Sequence, residues 1–303
     1  MNTAPGPDPQ TLDSSEVRRA FDRASASYDA SAVLQSRVRA ELLERLKYVR
    51  LEPRVILDAG CGTGHAGRAL LKRYRGSRLI ALDIAEGMLR QARRRRPMLR
   101  RLDPICADAA ALPLPDASVD LIFSNLMLQW CNDLDAVFSE FRRVLAPGGL
   151  LSFASFGPDT LHELRNAWRQ VDNEVHVSRF IDMHDLGDAM VRSGLAEPVM
   201  DVDYFCVTYE DVFGLMRDLK AIGAHNAARG RPRGLTGRGR LRAFAQAYEK
   251  HRRDGRLPAT WEVVYGQAWG SSAPAPAMAA GGGETRVPLT AIGRRGRDRE
   301  PGS

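Results

Sequence analysis

The 303-residue chain lacks most of the features that would take it out of the ordinary globular class. It has no apolar run near the roughly 18–20 residues that a membrane-spanning helix needs, so no membrane placement is expected. Its opening, MNTAPGPDPQTLDSSE, has neither a basic n-region nor an apolar h-region and does not read as a secretory leader. Cysteine is scarce: Cys61, Cys106, Cys131 and Cys206 are scattered without pairing or metal spacing, and reduced thiols in the cytoplasm are the expectation. No aromatic platform is interleaved with the arginines, which argues against nucleic acid as a partner. Acidic residues are in deficit, 37 against 44 basic, for a net charge of +7. The excess collects in RQARRRRPMLRR (90–101), in LKAIGAHNAARGRPRGLTGR (219–238) and in the tail. A surface of that kind suits an acidic protein, reads equally as solvated helix faces, and is most useful in steering encounters.

Residues 1–14 are Pro-rich and polar and are expected to be disordered. From Ser15 to residue 49, apolar residues such as Val17, Phe21, Leu34, Val38 and Leu42 recur at helical spacing. Between 50 and 157, apolar strands (RVILDAG, RLIALDI, LDPICAD, SVDLIFSNL, LLSFASF) alternate with amphipathic helices, the last of these helices being LDAVFSEFRRVLAPGG. That rhythm predicts a parallel sheet covered on both faces, a doubly wound α/β fold. From 158 to 259 come further helices and the strand PVMDVDYFCVTY, and 260–270 holds a closing strand, TWEVVYGQAWG. One domain is expected over 15–270, followed by a disordered linker and basic tail at 271–303.

The sharpest motif is VILDAGCGTGHAG, where Asp58 precedes Gly60, Gly62 and Gly64 at the end of the first strand. Alternating glycines permit a tight turn and let a ligand approach the backbone. A dinucleotide cradle has G-x-G-x-x-G spacing; here the spacing is G-x-G-x-G, and an aspartate beside it would repel a pyrophosphate. An anion there suits a ligand with an ammonium and a sulfonium group, S-adenosylmethionine. Asp83, closing the second strand, can accept two ribose hydroxyls, although alone it reads equally as a helix cap. Asp108 with Ala109 can meet an adenine, and Asn125 follows the fourth strand at the same sheet edge. Cys61, Ile84 and Met88 complete the expected cofactor contacts, and Phe21, Tyr28 and Gln35 are the expected lid.

Together these strand ends resemble the class I methyltransferase family over residues 50–157. That resemblance implies a seven-stranded, mostly parallel, Rossmann-like sheet with one reversed strand at the edge, within TWEVVYGQAW. Outside the core, FDRASASYDASAVLQ, SNLMLQWCNDL, SFGPDTLHELRNAW, RFIDMHDLGDAMVRSGL, DLKAIGAHNAARGRPRGLTGR and GRLPATWEVVYGQAWG look like the malonyl-[acyl-carrier protein] O-methyltransferase family of biotin biosynthesis, over about 15–270. The resemblance implies esterification of the malonyl carboxylate on a phosphopantetheine arm of an acidic carrier protein, or on malonyl-CoA, with S-adenosylhomocysteine as the other product. A carboxylate substrate wants cationic or hydrogen-bonding groups, for which Arg179, Lys220, His225, Asn226, Arg233 and Arg238 are candidates, with Gln129 and Trp130 as the wall. Arg179 reads equally as a tie to Asp182 or Asp185, and Tyr28 and Trp130 as core aromatics. The carboxylate is already ionised at neutral pH, so no catalytic base and no metal are expected. Arg93, Arg94, Arg95 and Arg96 are a candidate patch for steering the carrier, and a monomer is expected. Three rivals stand beside this reading: an arginine hydroxylase like the assembly factor of respiratory complex I, a small-molecule, quinone-type methyltransferase, and a non-catalytic scaffold that binds S-adenosylmethionine. The hydroxylase would need clustered metal ligands, and histidines 65, 162, 176, 184, 225 and 251 are not grouped in sequence.

Overall fold

The computed structural model describes residues 8, 10–98, 101–224, 226–231, 234 and 236–272. Seven strands form one sheet: β1 (Val55–Ala59), β2 (Arg78–Asp83), β3 (Leu102–Cys106), β4 (Val119–Asn125), β5 (Leu145–Phe156), β6 (Ala196–Tyr209) and β7 (Leu257–Trp269). Their order is β3-β2-β1-β4-β5-β7-β6, with β1 to β5 parallel. Period-2 alternation splits the apolar side chains between two faces. Leu57, Ile80, Ile122 and Leu151 lie in register on one face, against Phe138 and Phe141 of α6 (Leu134–Val144) and Leu186 and Met190 of α8 (Met183–Arg192). Ile56, Leu79, Leu121 and Leu150 lie on the other, against Val38 and Leu42 of α3 (Val33–Arg45) and Leu70 of α4 (His65–Arg73). Each of these buried side chains contributes roughly 1.5–3 kcal/mol, which is what fixes the register.

The position of the reversed strand corrects one expectation. β7 is antiparallel to both β5 and β6, so it lies inside the sheet and β6 forms the edge. The side chains explain the order: Val263, Val264, Tyr265 and Ala268 of β7 are buried, whereas β6 exposes Val199, Asp201, Asp203 and Tyr204. The helix expected over 134–149 stops at Val144, because Leu145 already pairs with Val119 as the start of β5.

A second correction concerns the first residues, expected to be disordered to position 14. Leu12 is buried, its N–H and C=O bond the side chain of Asn132, and it bridges Ala228. Asp13 then caps α1 (Ser14–Ala24) by accepting the Ser15 and Glu16 amides. The basic stretch after α9 (Val212–Ala221) is therefore tied, at 227–229, to the chain entering α1: Asp13 N–H donates to Ala227 C=O, and Arg229 N–H to Thr11 C=O.

Candidate active site

Ligands of parallel sheets bind in the crevice beyond the strands' carboxyl ends. There a cavity of about 220 Å³ is lined by Gly60, Gly62, Asp83, Ile84, Met88, Asp108, Ala109 and Asn125, and by Tyr28 from α2 (Tyr28–Ser31). The loop is held from below: the Gly60 and Cys61 amides donate to Leu82 C=O at 2.8 and 2.9 Å. Asp83 is a cross-brace, accepting from Gly62 N–H and Ala85 N–H, each at 2.9 Å. It thus braces the turn leading into α5 (Glu86–Arg94), a helix with no side-chain cap at its start, and it faces the cavity. At Gly62, with φ +52°, a Cβ would meet nothing within 4 Å, and the residue lines the cavity. Burial pushes the Asp83 carboxyl up to about 6, against the pull of the Ala85 and Gly62 amides.

Four expected contacts are not in the cavity wall. Asp58 is buried beneath the loop and does not face the ligand space; burial and the Asp83 charge push it up to about 7. Cys61 is buried, and Gly64 starts α4 with φ +87°, its absent Cβ replaced by Ala92 of α5. Gln35 is buried in α3, where its backbone carbonyl accepts from Asn125 Nδ2 at 3.3 Å, leaving the Asn125 Oδ1 without a protein partner.

Asp29 is a feature the sequence reading missed. Its carboxylate accepts from Thr63 Oγ1 at 2.6 Å, lies 3.3 Å from His65 Nε2, and pairs with Arg95, which also donates to Thr63 C=O. Together with Asp22, which accepts Gly87 N–H at 2.7 Å, it latches α1 and α2 over the glycine loop and α5. Arg95 therefore belongs to this latch, and of the expected steering patch Arg93, Arg94 and Arg96 are exposed.

A second cavity, about 870 Å³, adjoins the first. Gln129, Trp130, Lys220 and Asn226 line it, as expected; Arg179 and Arg238 are exposed and outside its wall, and His225 and Arg233 lie outside the described residues. No ion pair joins Arg179 to Asp182 or Asp185 among the described residues; Asp182 caps α8 and pairs with His184. The two amides are occupied by their own surroundings. Gln129 donates to Leu126 C=O, and Asn226 donates to Val175 C=O and accepts Ala228 N–H. Arg23, Arg217 and His176 also line this cavity and were not singled out by sequence, because Arg23 and Arg217 sit inside amphipathic helices and signal nothing alone. Its deep walls are apolar: Phe156, Trp168, Phe180 and Trp261.

Trp130 lines both cavities and meets Phe21 edge-on at 5.2 Å. The charges on its two sides are opposite. Among the described residues, the first cavity is lined by Asp83, Asp108 and Asp133 and by no Lys, Arg or His, and the second by Arg23, Arg217, Lys220 and His176 and by no carboxylate. The first fits a cationic ligand and disfavours a pyrophosphate, and the second fits an anion. His176 stacks on Trp168 at 3.7 Å and bonds Asp172 at 2.8 Å. Asp172, Glu174 and His176 come within 4.8 Å of one another, but the Arg240 guanidinium pairs with both carboxylates, and the set holds one histidine where the hydroxylase reading wants two.

A family model described as "Methyltransferase domain" matches residues 57–153. A solved protein, YcgJ of Bacillus subtilis, shares the fold at a TM-score of 0.56 and 16% identity, over 77% of this chain and 98% of that one. A putative methyltransferase of Bacillus halodurans does so at 0.55 and 16%, over 77% and 99%. The malonyl-[acyl-carrier protein] O-methyltransferase of Methylovorus sp. (strain MP688) is 58% identical over 86% of this chain and 90% of its own length. That of Halorhodospira halophila is 51% identical over 96% and 99%. With identity this high over most of both chains, the chain belongs to the malonyl-[acyl-carrier protein] O-methyltransferase family.

Proposed function

We propose that this chain methylates the free carboxylate of a malonyl thioester on an acyl-carrier protein, using S-adenosylmethionine and releasing S-adenosylhomocysteine. The supporting observation is the pair of adjoining cavities, one acidic and one basic, that share Trp130. The cofactor supplies an electrophilic methyl group on a cationic sulfur. Asp83, Asp108, Asn125 and the open backbone at Gly62 would hold it, with Tyr28 and Phe21 closing above. Asp58 acts from beneath, through the field of its buried charge.

A carboxylate oxygen takes the methyl without losing a proton, so the residues need only bring the reactants into line and keep water out. Phe21 and Trp130 stand where the reactants meet and exclude water by packing. Masking the charge of the malonyl end gives an ester that chain-elongating enzymes can take as a primer, the entry to the pimeloyl moiety of biotin. No described helix is long and apolar enough to cross a membrane; we take the chain to act as a monomer, in the cytoplasm, a compartment that accords with free, scattered cysteines. We take 15–49 as lid, 50–157 as cofactor core, 158–259 as the substrate side and 260–270 as the closing strand of one domain. The test is labelled methyl transfer to malonyl-carrier protein, malonyl-CoA and acetyl-carrier protein, read as base-labile ester. Equal label on the acetyl form, which has no free carboxylate, would rule the reaction out.

A further inference from the structure

We infer that Arg23, Arg217 and Lys220, at the mouth of the second cavity, bind the phosphate ester at the far end of the pantetheine arm, and that no cationic side chain among the described residues holds the malonyl carboxylate. The inference rests on the reading in the preceding subsection and adds where each of the substrate's two anions lies.

All three cations are exposed, whereas Phe156, Trp168 and Trp261 in the deep wall are buried. Arg217 and Lys220 stand one turn apart on α9, and Arg23 reaches the same rim from α1. Ser27 ties the two elements together by donating to Ala221 C=O at 3.2 Å. Among the described residues none of the three cations forms a salt bridge, and no carboxylate lines the cavity. The rim is therefore an uncompensated positive cluster over an apolar chamber. A pantetheine thioester has the matching pattern: a neutral chain with one fixed anion where it joins its carrier.

The reacting end must lie where the two cavities meet, at Trp130, and among the described residues the lining of the first cavity supplies no cation there. A carboxylate clamped by guanidinium has its lone pairs engaged and is a weaker nucleophile. One delivered bare into an apolar, water-poor chamber keeps its reactivity. Rim cations in contact with solvent can hold a phosphate without that drawback.

The experiment compares wild type with Arg23→Gln, Arg217→Gln, Lys220→Gln and the triple variant, using saturating S-adenosylmethionine. The methyl acceptors are malonyl-CoA and malonyl-carrier protein, which carry the phosphate, and malonyl-pantetheine, which does not. Wild type is expected to favour the two phosphate-bearing acceptors. In the Arg217 and Lys220 variants their KM rises about tenfold with kcat retained, so that preference collapses, and Arg217→Lys recovers part of it. If the variants lose as much on malonyl-pantetheine as on malonyl-CoA, the rim holds the carboxylate and the inference is overturned. If only the carrier protein is affected, the rim meets protein surface, which overturns it too. A wild type that methylates none of the three removes the underlying reading itself.

Discussion

Raising the pH of the ligand-free protein from 5.5 to 8.5 should expose the cost of keeping Asp58 buried. Its carboxyl is pushed from the ordinary 3.8 to about 7 by burial and by Asp83. A raised carboxyl pKa means that the native state keeps a proton the unfolded chain releases. The associated stability is complete below about pH 4 and is lost as the pH climbs through about 7. At about 1.4 kcal/mol per pH unit the whole effect is roughly 4 kcal/mol, of which about 2 kcal/mol falls between pH 5.5 and 8. Asp83, pushed up to about 6, runs the same way and is coupled to Asp58, so the two contributions do not simply add. His65 opposes them: burial and Arg95 lower its pKa from 6.5, and its contribution is lost as the pH falls. Because Asp58→Asn retains both His65 and Asp83, the difference between wild type and variant reports Asp58 together with its coupling to Asp83. Urea unfolding at several pH values should show the variant gaining about 2 kcal/mol on wild type across that interval. Saturating S-adenosylmethionine should stabilise wild type more at pH 8 than at pH 6, its cationic groups offsetting the ionised pair. Parallel stability–pH curves for the two proteins would refute the reasoning.

Four further outcomes are expected. Gly64→Ala places a Cβ 2.7 Å from Ala92 Cα at φ +87° and should cost about 2 kcal/mol or more of stability, seen as a lowered Tm. Gly62→Ala meets open space, costs about 1 kcal/mol for its φ of +52°, and should instead weaken cofactor binding, measured by calorimetry; equal Tm losses in the two variants would speak against a cradle at Gly62. Trp130→Ala opens the partition to water and should lower kcat about tenfold or more while cofactor affinity changes far less. The kcat–pH profile should be flat from about pH 6 to 9, since no base is used, while kcat/KM for the cofactor falls as Asp83 takes up a proton near pH 6; a steep rise in kcat above pH 7 would reveal a base.

The parallel core was legible because each strand carries its own signal: an apolar run, a glycine or carboxylate at its end, and an amphipathic helix after it. The place of β7 was not, since its neighbours β5 and β6 are set by tertiary pairing and not by its own alternation. The lining of the first cavity was legible for the same local reason, Gly62, Asp83, Asp108 and Asn125 each sitting next to a strand end. Asp58 shows the limit: its sequence position beside the loop does not reveal that its side chain points beneath it, towards Gly67. On the substrate side the reading favoured residue types. Asn226 and Gln129 offer suitable donors on paper, but the folded chain uses them to satisfy its own backbone. Arg23 and Arg217 become a pair only when α1 and α9 meet.

The meeting of α1 with α9 also explains how one short helix can serve two chemically opposite cavities. Ser14, Val17 and Phe21 recur at helical spacing and face the acidic cavity, while Ala20, Arg23 and Ala24 face the basic one. α1 is held at its start by the bridge between Leu12 and Ala228, and near its end by Asp22 on Gly87. It cannot swing away from one cavity without opening the other. On the proposed function, ordering the helix for the cofactor would prepare the wall of the acyl cavity, and the entropic cost of closing would be met once for both ligands. The opposed charges would keep the ligands from exchanging places, and the apolar Phe21–Trp130 contact between the cavities would let them react without water.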